Sequence, residues 1–173
     1  MNFKLLAEDV AEVIKKAVIL NFKIQDHVMT GNLIDTIKYE IEATDFNAKI
    51  DFILNDYGMV QNYGITPARI PYSPGSGKKT SKYIEGLKRF ATIKLKAQND
   101  KEALSIAFAI AKKHKLEGMP SKGSQLMGKK TGAIDDALKD SNQEVTNLID
   151  KALEEYVNLK FVSAFSKINK TSA

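Results

Sequence analysis

Apolar residues recur at helical spacing through the first two dozen positions. Leu6, Val10, Val13, Ile14, Ala17, Val18 and Ile24 fall on one face, and Glu8, Asp9, Glu12, Lys15 and Lys16 fall on the other. The pattern predicts an amphipathic helix that ends before Thr30-Gly31-Asn32, where Thr30 is placed to cap a short turn carrying Leu33 and Ile34. The period then switches to two. Ile37, Tyr39, Ile41 and Ala43 alternate with Lys38, Glu40 and Glu42; beyond the turn-like Thr44 to Asn47, Ala48, Ile50, Phe52 and Leu54 continue the alternation. This is a β-hairpin with one apolar face. A lone hairpin is marginal in water, so that face needs cover from the first helix, from further strands or from a neighbouring subunit, and more β-structure is expected.

Tyr57-Gly58 and Asn62-Tyr63-Gly64 flank Met59, Val60 and Gln61, which predicts a tight bend or short helix closed by Gly64. The tyrosines are read first as packing at that bend and second as an interface. Residues 65–80, with Pro67, Pro71, Pro74, Gly75 and Gly77, lack periodicity and predict a long loop. Ser81 then caps a helix whose apolar stripe is Tyr83, Ile84, Leu87, Phe90, Ala91 and Leu95. Asn99 or Asp100 starts another, nearly all apolar from Ala103 to Ala111 and expected to be the most buried. Gly118 and Pro120 stop it. Residues 121–132, with three glycines and Lys122, Lys129 and Lys130, predict a second mobile loop. A long amphipathic helix runs from Ile134 to about Phe165.

These elements predict an α+β fold: an N-terminal helix and a small antiparallel sheet packed by two central helices and a long C-terminal helix. One domain spans 1–165 with excursions at 65–80 and 121–132, followed by a flexible tail at 166–173. A chain of 173 residues, 43% of them apolar, is long enough to bury a core. No cysteine is present, so packing alone holds the fold. The N-terminus reaches Glu8, Asp9 and Glu12 too soon for a signal peptide, and no stretch approaches about 18 apolar residues; the expectation is a soluble protein made in a cytoplasm, with no membrane partner.

Charge changes the picture more than composition does. Residues 67–130 hold 15 Lys/Arg against 4 Asp/Glu, a net of +11, whereas 1–66 net −4 and 131–173 net −2, within a whole-chain charge of +5. A basic segment between acidic ones points to a polyanion, an acidic partner, or a head-to-tail assembly in which the basic face of one copy meets the acidic face of the next.

Candidate chemistry subtracts rather than adds. Gly75-Ser76-Gly77-Lys78-Lys79-Thr80 has the flavour of a phosphate-binding loop, but Tyr72 stands at the first glycine position and Lys79 at the position of the magnesium-binding hydroxyl. His27 and His114 have no ligand pattern around them, and His114, in a run of lysines, reads as a solvated helix-end residue. Glu40/Glu42 and Asp135/Asp136 are accounted for as exposed strand and helix-start charges. The expectation is no catalytic residue, no cofactor and no metal, and not an enzyme.

The order of elements resembles the small neck, head-tail connector and tail-completion (minor tail component) proteins of tailed bacteriophages. The resemblance is carried by Thr30-Gly31-Asn32-Leu33-Ile34-Asp35-Thr36-Ile37 leading into a strand. Tyr57-Gly58-Met59-Val60-Gln61-Asn62-Tyr63-Gly64 follows, with Gln61 where the family commonly has Glu, and then Gly118-Met119-Pro120 after an Ala/Lys-rich helix. The matching motif positions are Thr30, Gly31, Leu33, Tyr57, Val60, Gln61, Gly64, Gly118 and Pro120. The resemblance implies a virion structural protein assembled in the bacterial host cytoplasm. It would form a homo-oligomeric ring of six or twelve subunits joining portal or adaptor to tail around the DNA channel. Arg69, Lys78, Lys79, Lys82, Lys88, Arg89, Lys122, Lys129 and Lys130 are then candidates for subunit interfaces or for non-specific phosphate contact with genomic DNA in the lumen. The alternative is a free, non-sequence-specific nucleic-acid-binding protein. It is weakened by the lack of a recognisable reading helix or a stacking platform. A phage hydrolase or nuclease is weaker still.

Overall fold

A computed structural model describes residues 2–74, 81–126 and 128–171. The fold is α+β. In chain order it comprises α1 (Phe3–Ile24), α2 (Asn32–Asp35), β1 (Lys38–Ala43), β2 (Ala48–Ile53), α3 (Asp56–Tyr63), a 3-10 turn (Pro67–Arg69), α4 (Lys82–Lys94), α5 (Asp100–Glu117), α6 (Lys122–Gln125) and α7 (Ala133–Thr171). No helix among the described residues is long and apolar enough to cross a membrane. The chain divides into two compact units. One contains residues 1–21, 36–54 and 135–173; the other contains 22–35 and 55–134.

In the first unit, β1 and β2 pair antiparallel from Lys38 opposite Ile53 to Ala43 opposite Ala48, and the sheet has two strands only. The expected additional strands are absent among the described residues. The first helix supplies part of the cover instead: the Tyr39 hydroxyl donates to Glu12 Oε1 at 2.8 Å, and Lys15 Nζ stands 5.7 Å from the centre of the same ring. Cross-strand Tyr39 and Phe52 meet edge to face, their ring centres 6.1 Å apart. Asn21 Nδ2 donates to Asp140 Oδ2 at 3.1 Å, tying α1 to α7. Ala7, Val10, Ala11 and Val18 of α1 are buried, as are Ala137 and Ser141 of α7.

The second unit is built around a helical hairpin. Ile84 of α4 meets Ala107 and Ala111 of α5, with Tyr72, Tyr83, Leu87, Leu104 and Phe108 packed around them. Ser81 Oγ accepts from Ile84 N and Asn99 Oδ1 from Glu102 N, so both expected caps are made. The expectation that α5 is the most buried helix does not hold. Only the alanine stripe Ala103, Ala107 and Ala111 is fully buried, whereas α1 buries larger side chains, Phe22 among them. Small residues bring α4 close along one face of α5 and leave its apolar neighbours half covered.

Three further expectations are corrected. Thr30 is exposed and does not cap α2; Gly31 precedes the helix and its carbonyl accepts from Asp35 N at 3.0 Å, which makes Gly31 the cap. The two loops are anchored where they are described. Residues 65–74 hold the 3-10 turn and a buried Ile70, and Lys122–Gln125 form α6, capped by Ser121 Oγ on Ser124 N. Apolar Ile65 and Ile70 cannot stay in water without cost, and this docks the first loop. Finally, α7 does not end near Phe165 but runs to Thr171, because no glycine or proline stops it.

Candidate assembly surface

The second unit brings together motifs that lie far apart in sequence. α3 starts at Asn55, whose side chain accepts from Gly58 N, and stops at Gly64, whose N–H donates back to Val60 O. Gly64 has φ +74° and Gly118, closing α5, has φ +86°. Both glycines therefore turn the chain in the left-handed half of φ, and the residues after them meet. Ile65 N donates to Met119 O at 2.7 Å and Met119 N to Ile65 O at 2.8 Å, a single antiparallel bridge. Side chains are excluded on both sides of it. A Cβ on Gly64 would lie 2.5 Å from Met119 O, and one on Gly118 would lie 2.7 Å from Ile65 O.

Asn62 completes this clasp and was not singled out by the sequence. It is 3% exposed, and its Oδ1 accepts from Ile134 N at 2.8 Å while its carbonyl accepts from Gly132 N at 2.8 Å. One asparagine thus satisfies the backbone at the start of α7. No sequence signal marks it, because its partners arrive from seventy residues away.

Beside the clasp the surface is apolar with one cation. Met59, Val60, Tyr63, Gly64, Ile65 and Arg69 line an open cavity of about 240 Å³. Tyr63, 70% exposed, is a surface residue rather than the packing residue expected, whereas Tyr57 is 51% exposed, with half of its side chain covered. Residual burial raises the Tyr57 hydroxyl above its ordinary pKa, partly offset by its hydrogen bond to Gln61.

The candidate cations separate by environment. Arg69, Lys82, Arg89 and Lys122 are exposed. Lys82 and Arg89 are seven residues apart and share one face of α4. Lys88 is engaged, with Nζ 2.7 Å from Asp100 Oδ2, and Lys130 Nζ donates to Gln25 O at 2.9 Å. Lys129 is also exposed, and Lys78 and Lys79 lie outside the described residues. Of the remaining motif positions, Leu33 is buried, and Val60, Gln61 and Pro120 are half-buried.

Both histidines are structural rather than solvated. The Tyr83 hydroxyl lies 2.8 Å from His114 Nδ1. Burial lowers the imidazole pKa and pushes the phenol up to about 12, so near neutral pH an uncharged phenol and an uncharged ring share this hydrogen bond. His27 packs edge-on against Phe22, and burial, with the charge of Lys130, lowers its pKa as well. No cluster of three or more His, Cys, Asp or Glu positioned to hold a metal occurs among the described residues. What this surface can do is bind by contact: an apolar cavity with a guanidinium fits an apolar side chain next to a carboxylate, and exposed lysines and arginines fit carboxylates or phosphates. No protein-family model, curated protein or solved structure matches the chain.

Proposed function

We propose that this protein is a virion assembly component of a tailed bacteriophage. In this reading it forms a ring at the junction of portal and tail, in which basic surface of one subunit meets acidic surface of the next. The clasp is the observation that carries the reading. The two glycine motifs on which the phage resemblance rests are joined by the Ile65–Met119 bridge, and they present Met59, Tyr63 and Arg69 at one surface. Exposed Lys82, Arg89 and Lys122 in the same unit, within the +11 segment, support a heterologous contact of the kind that closes rings.

Electron cryomicroscopy of the phage particle that encodes the chain tests the proposal. The expected result is density for a closed ring on the portal axis, with Tyr63 and Arg69 against a neighbouring subunit. Absence of the chain from the particle would overturn it. The same exposed cations favour the second reading, a free nucleic-acid binder. In that case light scattering would show a monomer that never forms rings and binds short duplex DNA with a steep salt dependence.

A further inference from the structure

α7 changes character along its length. Its four-residue ridge begins with Ala137 and Ser141, both buried, passes through half-buried Val145, and continues as Ile149, Leu153, Val157, Phe161 and Phe165. Those five are 38, 45, 46, 60 and 61% exposed, so the side chains become larger and barer towards the C-terminus. Leu159 and Val162 are 69 and 68% exposed and point to other sides of the helix. From Val157 to Phe165 the helix is therefore apolar on most of its circumference, interrupted by Asn158, Lys160 and Ser163. A helix of this kind is a buried helix, and a single flat partner would leave part of it in water.

We propose that residues 149–165 of α7 are a self-association element that packs against the same segment of other copies of this chain. The area fits. Seven large apolar side chains, each about half exposed, offer on the order of 700 Å², close to the ~800 Å² that each partner contributes to a stable interface and above the ~300–600 Å² of the largest patch on a typical monomer. The geometry fits as well, because an i,i+4 ridge interdigitates with an identical ridge in the commonest mode of helix packing. A bundle of like segments also covers more than one side of each helix. The flanks carry both signs, Asp150, Glu154 and Glu155 with Lys151 and Lys160, so like segments do not meet as a single charge. This contact does not depend on the phage reading, and it uses apolar side chains rather than the cations of the other unit.

Sedimentation velocity of the full chain at about 0.15 M and about 0.5 M NaCl tests it. The wild type is expected to self-associate at micromolar concentration in both. A Phe161→Glu/Phe165→Glu double variant should associate at least ~100-fold more weakly while keeping its helical circular dichroism. Lys82→Glu/Arg89→Glu should retain the association, which separates this contact from the charge-paired ring. A wild type that stays monomeric at about 100 µM, or a double variant that associates like the wild type, overturns the proposal; so does a monomer that instead pellets with anionic lipid vesicles. Since the chain contains no cysteine, Val157→Cys, at the centre of the 149–165 ridge, supplies the only thiol and gives a second measurement should the double variant misfold. Mild oxidation should yield disulfide-linked dimers, and failure to cross-link also overturns the proposal.

Discussion

At the scale of single residues, the clasp is where one atom decides. A methyl on Gly64 would sit 2.5 Å from a backbone oxygen in a backbone conformation that L-residues avoid. Gly64→Ala is therefore expected to cost about 2 kcal/mol or more, read as a lower urea midpoint. Asn62→Ala leaves the N–H of Ile134 without its side-chain acceptor, and about 1–3 kcal/mol should be lost. Amide exchange should quicken first at Gly132 and Ile134. The half-buried imidazoles contribute to the response to acid. Both His27 and His114 have folded pKa values below 6.5, so the unfolded chain takes up protons first as the pH falls. Their contribution is intact above about pH 7 and is lost as pH drops through 6.5 towards the lower folded values, so the melting temperature should be lower at about pH 5 than at about pH 7. His114→Gln should flatten part of that drop. Asp26, held below 3.8 by its hydrogen bond to Lys94, adds a separate loss only once the pH falls below that value. Gly64 was legible as the residue that closes α3, but Asn62, Tyr83 and His114 acquire their roles from partners distant in sequence.

At the scale of elements, local chemistry was readable where it acts within a few residues. Ser81 and Asn99 cap α4 and α5 as their positions predict, and replacing either with alanine should cost about 1 kcal/mol in urea unfolding. The hairpin turn is equally local: Thr44 Oγ1 donates to Asn47 Oδ1 at 2.9 Å and the backbone closes at 2.8 Å. Thr30 failed as a cap because Gly31, already in the left-handed region, takes the position next to α2. Where they are described, the two loops hold more structure than their composition suggested, for a related reason. Proline and glycine content marks the absence of regular hydrogen bonding, not the absence of anchoring, and Ile65, Ile70 and Lys130 find partners that no local pattern announces.

At the scale of the whole molecule, the basic middle segment and the apolar late turns of α7 lie on different parts of the chain and lead to different contacts. If basic-to-acidic pairing closes a ring, Lys82→Glu/Arg89→Glu should abolish ring formation while leaving circular dichroism unchanged. Raising the salt from about 0.15 to about 0.5 M should weaken the wild-type ring, as light scattering will show. Sequence by itself determined the α+β class, the places of α1, α4 and α5 and the start of α7, the hairpin and its turn, the α4 and α5 caps and the basic middle segment. Each of these follows from periodicity, from capping within one turn or from summed charge, and none needs a distant neighbour. Tertiary structure alone decided which cations remain exposed, that Gly64 and Gly118 face one another, that Asn62 and His114 are held by hydrogen bonds, and that the large apolar residues late in α7 stay uncovered. Burial and hydrogen-bond partnership are properties of pairs brought together from far along the chain, and the identity of one residue does not contain the position of its partner.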